Sequence, residues 1–177
     1  NRPHYLKYLI NEGVKSKFVL YFHNDPLTMT GSKSLSERKY LTTICEKIVF
    51  NSLWSKKRFL ENISSGSINS EKLIVVFQSA SKNKVNLKTK KKWITFVGKL
   101  NHSKGYDIFG SSVLKVLNKY KDWQAIVIGD EQRDKIFFNH SRIKNLGFLE
   151  HKKVINIFKK TSIAVACSRW NEPFGRT

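Results

Sequence analysis

The stretch "VGKLNHSKG" (97–105) holds the first residues in this 177-residue chain whose types and spacing could do chemistry. Gly98 closes the apolar, β-branched run "WITFVG" (93–98), which reads as a strand. Lys99 and Lys104 follow within six residues, and Gly105 stands where a helix opens. A helix N-terminus offers N–H groups without intrahelical partners, and two cations beside it make a site for an anion, most naturally phosphate. The spacing is neither GxxxxGK[ST] nor GxGxxG, and a solvated loop in a Lys-rich protein fits it as well. A second constellation is "CSRWNEPFGRT" (167–177). Glu172 follows a strand-like run, and a carboxylate there would accept hydrogen bonds from hydroxyls. The Phe174-Gly175 backbone would offer N–H groups. Together the two stretches suit a polyol that carries phosphate, a nucleotide sugar.

Other positions are weaker. His23 follows the strand-like "KFVLYF" (17–22) and could bind a hydroxyl or handle a proton, although a lone His is more often structural. Asp25-Pro26 reads as a plain turn. Gly129-Asp130-Glu131 ends the run "QAIVI", and Gly147-Phe148 sits in "NLGFL". Each could face a nucleotide or simply form a turn. His4, His102, His140 and His151 show no metal-ligand spacing, and no DxD acidic cluster is present.

The elements that must position these residues alternate. Strands are expected at 17–22, 48–52, 72–77, 93–98, 124–130, within 142–149, and at 162–168. Helices are expected over "SLSERKYLTTICEK", which opens on the capping-box spacing Ser34-x-x-Glu37, and at 53–62, 106–120 and 151–160. Strands alternating with helices predict parallel sheets built from βαβ units, an α/β class. The Lys-dense, aperiodic stretch 78–92 divides the chain. Residues 1–80 and 93–177 read as two Rossmann-like units joined by a linker at 81–92, neither with strands enough for a complete doubly wound domain. In such sheets ligands bind beyond the carboxyl ends of the strands, where Gly98, His23 and Glu172 lie.

Composition narrows the partners. The formal charge is +20, with 26 Lys and 7 Arg among the 33 basic residues. Anionic partners follow: nucleic acid, acidic headgroups or phosphorylated small molecules. A basic nucleic-acid-binding module without catalysis is therefore the alternative reading, against which stand dispersed lysines and no recognisable nucleic-acid motif. Two cysteines without CxxC spacing argue against a metal or disulfide framework and favour a cytoplasmic setting. No apolar run approaches the roughly 20 residues of a membrane span. Peripheral contact with an anionic membrane through helix 53–62, with Trp54 and Phe59 at the interface, competes with simple packing of that helix on its own sheet.

Taken in order, "KFVLYFHNDP", "IVFNS", "KLIVVFQSAS", "ITFVGKLNHSKG", "AIVIGDE", "IKNLGF" and "SIAVACSRWNEPFGRT" resemble the group-1, glycogen-synthase-like family of retaining glycosyltransferases with the GT-B fold. The resemblance implies two Rossmann-like domains, with the donor nucleotide sugar held mainly by the C-terminal one. It places Lys99 and Lys104 on the donor diphosphate, with Lys99 where Arg is commoner, so charge is kept and the bidentate fork is lost. Glu172 opens the family's Glu-x7-Glu motif and would contact donor-sugar hydroxyls. Gly98, Gly129, Phe148, Phe174, Gly175, Arg176 and Thr177 fall at the same donor site, and His23 near the donor sugar. The chain is thus expected to be cut at both ends, inside its own donor site, and inactive by itself. The parent would transfer a sugar to a glycan or lipid-linked acceptor hydroxyl with retention, in cell-surface polysaccharide or glycolipid synthesis. It would need no metal or other cofactor and would work in the cytoplasm, with any membrane contact at the inner face.

Overall fold

The computed structural model describes residues 2–64, 66–80 and 82–175. They form two compact units, one of Asn1–Ser81 with Asn171–Arg176, the other of Lys82–Trp170.

The first unit opens on a helix absent from the sequence reading, α1 (Pro3–Asn11), with Pro3 at its first turn. Proline suits that position because its missing N–H would be unpaired there anyway. Then come β1 (Phe18–Phe22), α2 (Leu35–Ile44), β2 (Cys45–Phe50), α3 (Leu53–Leu60) and β3 (Leu73–Val75). The three strands are parallel, in the order β1-β2-β3. The capping box forms in full: Glu37 N–H donates to Ser34 Oγ at 3.2 Å, and Ser34 N–H to Glu37 Oε2 at 2.9 Å.

The expected continuation of α2 through "ICEK" does not occur. Helix passes to strand with no loop between, because Cys45 already pairs with Phe18 of β1. Lys72 Nζ caps the junction, donating to the carbonyls of Thr42 and Cys45 at 3.0 and 2.9 Å. Helical periodicity in the sequence is here outweighed by the strand ladder.

Phe22, Phe50 and Phe59 fill the centre of this unit, all fully buried, with ring centroids 5.3–5.6 Å apart. Phe59 is therefore not at a membrane interface, as one reading of helix 53–62 had it; α3 turns it inward against β1 and β2. Leu53 of the same helix is exposed, and Trp54 lies under the Arg58 guanidinium at 5.8 Å.

The second unit runs β4 (Lys91–Val97), α4 (Tyr106–Lys119), β5 (Gln124–Ile128), β6 (Ile143–Asn145), α5 (His151–Lys160) and β7 (Thr161–Val165). Its four strands are parallel, in the order β6-β5-β4-β7. Central β4 and β5 are near-continuous apolar runs, as expected of strands covered on both faces. Phe96, Tyr106, Phe109, Val113, Leu117 and Val127 form the core, with α4 on one face. Beyond β7 the described residues form no regular element. Among the described residues no helix is long and apolar enough to cross a membrane.

Replacing Phe59 with Ala is expected to lower unfolding stability by about 3–5 kcal/mol, while Leu53→Ala changes it by about 0.5 kcal/mol or less. Urea denaturation of the two variants checks this; equal losses would refute the inward placement of Phe59.

Candidate functional site

The carboxyl ends of β4, β5 and β6 draw together through backbone. The ladder continues one residue past β4 and β5: Gly98 N–H donates to the Ile128 carbonyl at 3.0 Å, and Gly129 N–H to that of Gly147 at 2.8 Å. The contact between β4 and β5 tips is so close that a Cβ on Gly129, at φ +132°, would lie 1.8 Å from the Gly98 carbonyl oxygen. Only glycine fits there.

From Gly98 the chain winds tightly into α4. Asn101 organises the turn: its Oδ1 accepts from Lys104 N–H at 3.0 Å and its carbonyl from Tyr106 N–H at 3.1 Å. Gly105 is the N-cap, left-handed at φ +70°, and a Cβ there would lie 2.0 Å from the Cys167 carbonyl oxygen. No side chain caps the helix start, and its first N–H is already spent on the Asn101 carbonyl. Lys104 Cγ comes within 3.8 Å of where a Gly98 side chain would begin. Lys99 is exposed and borders two adjoining cavities of about 270 Å³ each. One is lined by Asp130, Glu131 and Arg133. The other is lined by Gly98, Gly129, Leu149, Val154 and the largely exposed ring of Phe148.

The structure thus brings together five of the sequence-predicted residues: Gly98, Lys99, Lys104, Gly129 and Phe148. His23 belongs to the first unit, at the carboxyl end of β1. Asn51 Nδ2 donates to its carbonyl at 3.1 Å, Tyr21 packs edge-on at 4.2 Å, and Gln78 Nε2 lies 3.1 Å from its Nδ1. An amide N–H donor at Nδ1 puts the proton of the neutral ring on Nε2. Asp25 is structural, as the turn reading had it: nearly fully buried, it accepts from Leu27 N–H at 3.1 Å and pairs with Arg58 at 3.1 Å. Glu172, Phe174 and Gly175 group with the first unit, the Glu172 carboxylate lying 3.2 Å from where a Gly175 Cβ would stand. The expectations for Arg176 and Thr177 lie outside the described residues.

The basic charge has structural uses that composition conceals. Lys56 donates to the Leu73 carbonyl at 2.8 Å, Lys90 to those of Phe158 and Thr161 at 3.1 and 2.6 Å, and Arg142 closes the end of α4 through the Leu117 carbonyl. Among the described residues no cluster of His, Cys, Asp and Glu is arranged to hold a metal ion. Both cysteines are free thiols; burial pushes Cys45 up to about 11.

Sequence reasoning missed Asn101, Asp107 and Arg169. The Asn-x-x-Lys spacing before a Gly was a readable turn signal. Nothing in sequence pairs Asp107 with Arg169, 62 positions away.

Residues 77–177 match the family described as glycosyl transferases group 1. The chain belongs to this family. Over 110 residues it is 28% identical to the lipopolysaccharide core biosynthesis mannosyltransferase LpsB of Rhizobium meliloti (strain 1021), covering 56% of this chain and 31% of that protein. The crystal structure of Anabaena Alr3699/HepE in complex with UDP-glucose superposes with a TM-score of 0.68 at 16% identity, over 90% of this chain and 49% of that one. A glycosyltransferase from Rickettsia africae ESF-5 does so with a TM-score of 0.69 at 22% identity, over 99% of this chain and 52% of that one. The likeness establishes the GT-B fold for this group 1 chain, which spans about half the length of these solved relatives.

Beside Lys99, Glu131 is held down to about 2 by its paired hydrogen bonds from Arg133, at 2.8 and 2.9 Å. A carboxylate whose folded value lies below its unfolded one contributes stability above the unfolded value, about 4.5, which fades as pH falls towards 2. NMR titration is expected to find the Glu131 midpoint near pH 2 and to see it rise towards 4.5 in Arg133→Ala; an unmoved midpoint would break the assignment.

Proposed function

We propose that the parent protein transfers a glycosyl group from a nucleoside diphosphate sugar to an acceptor hydroxyl, with retention at the anomeric carbon. The observation that carries the reading is the convergence of Gly98, Lys99, Lys104 and the first turn of α4 at the carboxyl ends of β4 and β5. This is where the physics of a parallel sheet and a helix end favours a diphosphate.

In the proposed reaction the bond from the anomeric carbon to the diphosphate oxygen breaks. A bond to the acceptor oxygen forms on the same face. The acceptor's proton passes to the departing phosphate. The barrier is dominated by charge growing on the diphosphate, which Lys99, Lys104 and the α4 amides would stabilise without a metal ion. Glu172 accepts hydrogen bonds from the donor sugar's hydroxyls. His23, fixed by Gln78 with its proton on Nε2, orients that sugar. Phe148 lies beside the base. The acceptor is a glycan or lipid-linked saccharide of the cell surface, and the reaction takes place in the cytoplasm, at the inner face of the membrane when the acceptor is lipid-linked. Nucleic acid has no specific role in this reading.

Thermal-shift titration of the full-length protein with UDP, GDP, ADP and their sugars is the direct test, because a ligand that binds only the native state raises the melting temperature. One nucleotide series is expected to do so, and none doing so would overturn the reading. Lys104→Ala and Glu172→Ala are each expected to slow transfer by about 10²–10³-fold. Near-normal turnover in both, followed by release of the nucleoside diphosphate, would remove the site assignment. His23→Ala should lower turnover more than nucleotide affinity; calorimetry that finds mainly lost binding would argue against its orienting role.

A further inference from the structure

The loop that carries Lys104 is held by a residue outside the proposed donor contacts. After β7 the chain turns back along 102–105. Arg169 N–H donates to the Ser103 carbonyl at 2.9 Å, and its Nη1 to the His102 carbonyl at 2.8 Å. Cys167 Sγ lies 3.1 Å from the Gly105 carbonyl oxygen. The Arg169 guanidinium then closes a two-pronged pair with Asp107, Nη1 to Oδ1 and Nη2 to Oδ2, both at 2.7 Å.

Asp107 sits in the first turn of α4, the helix that begins directly after Lys104 and Gly105. A carboxylate at a helix N-terminus favours the helix by itself, but it repels a second anion arriving at the same end. His102 Nδ1 is the other group near it, 3.5 Å from Oδ1. Arg169 is the closer and better-aligned cation, and its hydrogen bonds hold the Asp107 carboxyl well below the usual carboxylate range.

We infer that Arg169 is a positioning residue of the donor site: it pins the 102–105 loop and masks the Asp107 charge, so that the α4 N-terminus and Lys104 present a net positive face to a diphosphate. This rests on the proposed donor reading, which it deepens. Three of the five N–H donors of the Arg169 guanidinium are spent on Asp107 and the His102 carbonyl.

The test is a set of variants of the full-length protein, titrated calorimetrically with whichever nucleoside diphosphate stabilises the wild type and with the matching monophosphate. Arg169→Ala unmasks Asp107 and is expected to weaken diphosphate binding about tenfold, with a smaller loss for the monophosphate. Adding Asp107→Asn removes the unmasked charge and is expected to restore most of that loss, leaving a residue of about two- to threefold from the loosened loop. Asp107→Asn alone, with Arg169 in place, is expected to change affinity little. An equal gain from Asp107→Asn with and without Arg169, which a merely structural or directly phosphate-binding Arg169 would give, overturns the inference, as does failure of Asp107→Asn to restore binding. Equal diphosphate affinity in wild type and Arg169→Ala also overturns it and leaves the donor site standing. A wild type that binds no nucleoside diphosphate overturns the donor reading and this role with it.

Discussion

The second unit depends on how closely its backbone can approach itself where the strands end. At Gly129 the tip of β5 touches the Gly98 carbonyl, and at Gly105 the start of α4 touches the carbonyl of Cys167, distances at which no Cβ fits. These two contacts bring β4, β5 and the exit of β7 to one place and force the 98–105 loop to wind rather than spread. That winding brings the Lys104 side chain back against Gly98, the residue before Lys99. A methyl group at either glycine would push apart the elements that make the loop a site.

Charge is distributed by the same economy of position. A chain with a formal charge of +20 suggests a surface that collects any polyanion. In the folded protein many cations instead end helices and strands, as Lys72 does between α2 and β2 and Arg142 after α4. Two acidic residues near the 98–105 loop are answered by arginines: Glu131 by Arg133, Asp107 by Arg169. The field at the carboxyl end of the second sheet is therefore set less by net charge than by which carboxylates are masked.

Each sheet supplies one kind of candidate. The first holds a histidine whose carbonyl, ring face and Nδ1 all have neighbours, an arrangement that orients a ring rather than activating a nucleophile. The second supplies amides and cations for a phosphate-bearing group.

Much of this was legible in sequence because it is local. Apolar runs bounded by Gly, Asn and Asp gave strands, the Ser34/Glu37 spacing gave a real capping box, and Lys99, Gly98 and Lys104 lie within a few residues of one another, so a turn was bound to gather them. The helix α1 was not expected, although Pro3 in its first turn is a readable start signal, and α2 was carried too far because its period runs into β2. What only tertiary structure decided is long-range: Phe59 turned into a core shared with Phe22 and Phe50, Asp25 bound to Arg58, Gly105 beneath Cys167, Asp107 held by Arg169. Sequence encodes periodicity and short-range spacing, which fix local conformation; it does not display which residues 30 or 60 positions apart will meet, because that follows from sheet order and from where backbone can touch backbone.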